Sequence, residues 1–79
     1  MVKIEVLGTG CAKCKSLAKN VEKAVAEAEV EAEVVKVESL SEIMNRGVMM
    51  TPALFIDGEA VAVGRAPSVA EIKGMLLKR

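Results

Sequence analysis

The chain has 79 residues, 52% of them hydrophobic, with one phenylalanine and no tryptophan, tyrosine or histidine. Eleven basic and eleven acidic side chains leave a formal net charge of zero, which gives no electrostatic footprint for nucleic acid or an anionic membrane. So short a chain makes one domain over residues 1–79, and the missing histidine excludes every site that mixes cysteine with histidine.

Charges interrupt every apolar run of the opening Met1-Val2-Lys3-Ile4-Glu5, which argues against a signal peptide, and no stretch reaches the length of a membrane span. The expectation is a soluble, cytoplasmic monomer. There, a lone CxxC is catalytic or metal-binding sooner than a structural staple.

Val2 to Leu7 is short and β-branched, and Gly8-Thr9-Gly10 stops it, so it reads as a strand followed by a loop. Lys13 to Ala28 carries Cys14, Leu17, Val21, Ala24 and Ala28 on one stripe, the spacing of an amphipathic helix, with Lys23 and Glu27 as an i, i+4 pair. Cys11 then stands at the helix N-terminus and Cys14 one turn further in, within reach for a reversible disulfide. Unpaired N–H groups and the macrodipole favour a thiolate there, which suits thiol–disulfide exchange.

Glu29 to Glu33 fits strand or helix, and no glycine or proline marks a break; Val34 to Val37 reads as a second strand. Ser39-Leu40-Ser41-Glu42 offers a capping box, with Leu40, Ile43 and Met44 as a short apolar face and Gly47 as a left-handed stop. After Thr51-Pro52, Ala53 to Ile56 is apolar throughout, like a strand buried on both faces. Asp57-Gly58 is a preferred hairpin turn, returning Ala60 to Val63 antiparallel. Gly64 to Pro67 is a loop, and Ser68 with Glu71 caps a last helix whose inner face is Val69, Ile72, Met75 and Leu76. The resulting fold is α/β, in the order βαβ-α-ββ-α, with a mixed four-stranded sheet and helices on both faces.

The strand before Gly10-Cys11-Ala12-Lys13-Cys14, Thr51-Pro52 opening the third strand, the Asp57-Gly58 hairpin and Val63-Gly64 before the last helix together resemble the thioredoxin-like superfamily. Within it, the likeness is to small redox-active disulfide proteins of glutaredoxin size. The resemblance covers nearly the whole chain. It implies a thiol–disulfide oxidoreductase with Cys11 as attacking thiol and Cys14 as buried resolving thiol. Pro52 would be cis beside the disulfide, Thr51 would offer backbone hydrogen bonds to an extended substrate segment, and Gly64 would let that segment approach closely. The redox disulfide itself serves, with no further cofactor and no metal. The implied partners are disulfide-containing proteins and a reductase or thiol donor.

Three departures stand out. Gly10 replaces the usual aromatic residue, Ala12-Lys13 fills the space between the cysteines, and Arg65-Ala66-Pro67 stands where glutaredoxins carry an acidic pair that helps hold glutathione. Lys13 reads as an exposed charge at the mouth of the site. Glu5 occupies the position of the buried acid that thioredoxins use to accept a proton, where a raised pKa would make it a base for Cys14; otherwise it is a solvated strand charge near Lys3 and Lys36. Met49 and Met50 line an apolar patch for partners or fill the core.

Two rival functions remain at this point. The loop from Gly8 to Cys14 looks like that of copper chaperone domains, in which two thiolates hold Cu(I), although those domains end in a strand and this chain ends in a helix. The other is a binding module whose cysteines switch a partner interaction. A zinc site shared across a dimer would need two CxxC pairs to meet symmetrically.

Overall fold

A computed structural model describes residues 2–10 and 12–78. The elements run β1 (Val2–Leu7), α1 (Ala12–Ala28), β2 (Ala32–Val37), α2 (Leu40–Asn45), β3 (Ala53–Ile56), β4 (Glu59–Val63) and α3 (Val69–Leu77). The sheet order is β2-β1-β3-β4, with β1 parallel to β2, antiparallel to β3, and β3 antiparallel to β4.

Period-two alternation in β1 divides the core. Ile4 and Val6 join Leu17, Val21 and Ala24 of α1 and Ile72 and Leu76 of α3 on one face. Leu7 joins Ile43 of α2, Val48 and Val37 on the other. The apolar run of β3 is split the same way, Leu54 and Ile56 facing α1 and α3, Ala53 and Phe55 facing α2. Burial on both sides explains why this strand does not alternate. Each fully buried Leu or Ile removes enough apolar surface from water to contribute about 1.5–3 kcal/mol.

The ambiguous stretch after α1 resolves into a turn and an earlier strand start. Glu29 takes a left-handed conformation, φ 54°, and does the work that glycine commonly does past a helix end. β2 therefore begins at Ala32, where Val2 is its register partner. The Asp57–Gly58 turn has φ 52° and 82°, both positive as a type I′ hairpin requires. Asp57 also accepts the Lys3 N–H on its carboxylate at 2.9 Å, which fastens the hairpin to β1. In β4, Val61 is an extra residue between Ala60 and Ala62, a bulge opposite Leu54 and Phe55.

Other local expectations need correction. Ser39 holds the N-cap position of α2 but its side chain makes no capping bond, whereas Ser68 Oγ accepts the Glu71 N–H at 3.2 Å. Of the apolar face expected for α2 only Ile43 is buried; Leu40 and Met44 are out in solvent. The three share one face by spacing, but only Ile43 reaches the cluster of Leu7, Val37, Val48 and Phe55. Glu27 pairs with Lys73 of α3 at 3.3 Å instead of with Lys23 of its own helix, tying the two helices together. Among the described residues no helix is long and apolar enough to cross a membrane.

Candidate redox site

The register of the sheet gathers the expected site residues at one end. Leu7 pairs with Ala53, and Ala53 with Val63, so Gly8, Pro52 and Gly64 all lie where β1 ends, β3 begins and β4 ends. The Gly8 N–H donates to the Val37 carbonyl at 3.0 Å, bringing the end of β2 to the same rim.

Cys14 stands in the first turn of α1 and is buried. That turn has no acidic residue, and exposed Lys13 and Lys15 flank the sulfur in sequence. Cys11 lies outside the described residues, so its expected role as attacking thiol is carried by sequence.

Gly8 is a site residue to which the sequence assigned only a strand stop and the start of the cysteine loop. A methyl group there would overlap Cys14 Sγ and stand 2.8 Å from Cys14 Cβ. Its φ is not left-handed, so the glycine serves to make room. Its place at the strand end facing the CxxC loop was the available signal.

The Thr51–Pro52 peptide is cis. Pro52 is fully buried while Thr51 is exposed, and the Pro52 carbonyl accepts the Gly64 N–H at 2.9 Å. Gly64 has φ 77°, and a Cβ added there would lie 3.2 Å from Met50 Cε and 3.3 Å from its Cβ. Met50 thus rests on Gly64, where the resemblance anticipated a substrate strand. Met49 and Met50 are 96% and 63% exposed, which removes core filling as their role.

Glu5 differs from both expectations. It is 4% exposed, so it is no solvated strand charge. Nor is it a carboxyl with a raised pKa. Both its oxygens accept from the Arg46 guanidinium, Nη1 to Oε1 at 2.9 Å and Nη2 to Oε2, and these bonds hold its pKa below the ordinary carboxylate value. Arg46 lies over the Phe55 ring with Cζ 5.8 Å from the centroid, and Phe55 is the β3 partner of Glu5.

On the β2 side of Cys14 a cleft of about 460 Å³ opens between α1 and the sheet. Val6, Gly8 and Cys14 form its buried part, and exposed charges of both signs surround it, Lys15, Lys19 and Lys36 with Glu22 and Glu38. Cys14 therefore has a cavity on the flank opposite Pro52.

A mixed four-stranded sheet with α1 and α3 on one face and α2 on the other, and a cysteine in the first turn of α1 at the rim where Thr51–Pro52 opens β3, defines an α/β protein of thioredoxin-like fold. Comparison with known proteins agrees. The thioredoxin domain family model matches residues 2–77. A thioredoxin of Methanothermobacter thermautotrophicus (strain Delta H) is 42% identical over 76 residues, 96% of this chain and 99% of that one. A thioredoxin of Methanocaldococcus jannaschii is 47% identical over 73 residues, 92% of this chain and 84% of the other. The solved structure of thioredoxin-2, described as a component of malaria parasite protein secretion machinery, has a TM-score of 0.80 at 14% identity, covering 100% of this chain and 84% of that one. This last likeness concerns the fold alone. The chain belongs to the thioredoxin family, a family of thiol–disulfide oxidoreductases.

Proposed function

We propose that the protein exchanges disulfides in protein substrates through a Cys11–Cys14 dithiol/disulfide couple. Cys11, as thiolate, attacks one sulfur of a substrate disulfide, forming a mixed disulfide and releasing the other substrate sulfur as thiolate. Cys14, as thiolate, then attacks the Cys11 sulfur, expels the second substrate thiolate and leaves Cys11–Cys14 oxidised. Two electrons pass from the protein to the substrate, and a reductase or thiol donor restores them. The dithiol carries them without a bound cofactor. Thr51 and the Gly64 rim would receive an extended substrate segment, with Met50 moving along its flexible side chain to fit it. Lys13, exposed in the same helical turn, would set charge at the mouth.

The observation that carries this reading is the seat of Cys14. Its sulfur is held in the first turn of α1 against Gly8, at the sheet end shared with Pro52 and Gly64. A copper chaperone reading has no use for that proline-lined rim. Insulin reduction with dithiothreitol as donor tests the proposal. Turnover is expected for the native chain and lost in Cys11→Ser and Cys14→Ser, and in a single turnover of pre-reduced protein without dithiothreitol Cys14→Ser should hold the mixed disulfide. A native chain that reduces neither insulin nor a small disulfide would overturn the proposal.

A further inference from the structure

The segment between α2 and β3 carries the exposed side of the rim, yet few contacts hold it. Ile43 is the one buried residue of α2, and in the following stretch Val48 is buried while Met49, Met50 and Thr51 stand in solvent. Pro52 is fully buried and its carbonyl accepts the Gly64 N–H at the β3 end, and Arg46 supplies a further tie at the α2 end. Its N–H caps α2 by donating to the Glu42 and Ile43 carbonyls at 3.1 and 3.2 Å, while its guanidinium reaches across to Glu5 on β1 and covers Phe55 on β3. Glu5 is the one buried charged residue among the described residues. A fork-to-fork pair fixes direction as well as distance, which a single apolar contact does not.

Glu5 also faces away from the sulfur side of the sheet. Its neighbours along β1, Ile4 and Val6, pack in the cluster that contains α1, whereas Glu5 and Leu7 project toward α2. Of the other charges in the vicinity, Lys3 lies on the same strand face and Glu42 on α2, and each acts in the sense that keeps the pair ionised.

We infer that Arg46 is a positioning residue: by gripping Glu5 on an inner strand it fixes α2 and the 47–52 segment against the sheet, and so sets how tightly the rim holds a protein disulfide. The pair takes no part in the sulfur chemistry. This rests on the disulfide-exchange reading for its consequence, but the fixing of the segment is measurable without it.

The experiment uses the double variant Glu5→Met/Arg46→Met, since replacing both partners avoids leaving the buried Glu5 carboxylate without its arginine. Hydrogen exchange at the Gly47 and Val48 amides, bonded to the Met44 and Ile43 carbonyls, is expected to quicken about tenfold while β1 and α1 amides keep their rates. KM for insulin should rise by about fivefold with kcat within about twofold of native, the signature of weakened substrate holding. Reaction with a small neutral disulfide should keep its rate and its pH profile. Unchanged protection at Gly47 and Val48 overturns the inference, and so does an unchanged insulin KM. A shifted pH profile with the small disulfide overturns it too, by placing Glu5 in the thiol chemistry. If the native chain reduces nothing, the exchange reading fails and the amide rates alone decide whether Arg46 holds the segment.

Discussion

Replacing Gly8 by alanine tests the seat of the buried thiol most directly. In most ordinary backbone conformations this change stabilises by about 0.4–1 kcal/mol, because alanine has fewer unfolded conformations to lose. Gly8 has such a backbone, but the new methyl would overlap Cys14 Sγ and lie 2.8 Å from Cys14 Cβ. Neither atom is the end of a long flexible side chain, so α1 must move or Cys14 must leave its rotamer. Overpacking of this kind costs about 1–3 kcal/mol. The net expectation is a destabilisation of about 1–2 kcal/mol, or a melting temperature lower by about 4–16 °C for a domain of this size. Displacing the sulfur should also slow its attack on the mixed disulfide, so in a single turnover of pre-reduced protein without dithiothreitol the complex accumulates in Gly8→Ala much as in Cys14→Ser. Thermal unfolding followed by circular dichroism, and non-reducing gels of the insulin reaction, measure the two effects. A Gly8→Ala protein as stable as the native chain, with no trapped complex, would refute the steric argument.

The two capping serines should behave differently: Ser68→Ala is expected to cost about 1 kcal/mol because its hydroxyl accepts the Glu71 N–H, and Ser39→Ala almost nothing, as urea midpoints will show. Leu17→Ala, at a fully buried position facing β1, should cost about 2–5 kcal/mol by the same measurement. Because Arg46 lowers the folded-state pKa of Glu5, the pair's contribution is complete above the unfolded value of about 4.3 and is lost as pH falls through the lower folded value. Urea midpoints from pH 7 to pH 3 should therefore drop more steeply for the native chain than for the Glu5→Met/Arg46→Met variant, and parallel curves would contradict the linkage.

Elements with strong local signals were legible in the sequence. The apolar stripe from Cys14 to Ala28, the uninterrupted run Ala53 to Ile56 and the Asp57-Gly58 turn each fold as their spacing predicts, because periodicity and turn chemistry are properties of neighbouring residues. What stayed hidden depends on meetings between distant residues or on packing. Glu29 adopts a left-handed turn without glycine because β2 must start beside Val2, a constraint imposed by sheet pairing and not by the local residues. Leu40 and Met44 have helical spacing but no surface to cover. Glu5 shows why the site itself was only partly legible. Its position on the strand suggested a base, and its partner stands 41 residues away in a helix cap that no pattern linked to it. A carboxylate held on both oxygens by a guanidinium has its acceptor sites occupied and its charge compensated. It is a poor place to put a proton and a strong place to fasten a loop. Here Arg46 reaches that acid from the helix packed on the same face of the sheet, and its two hydrogen bonds are what a base at this position would have to give up.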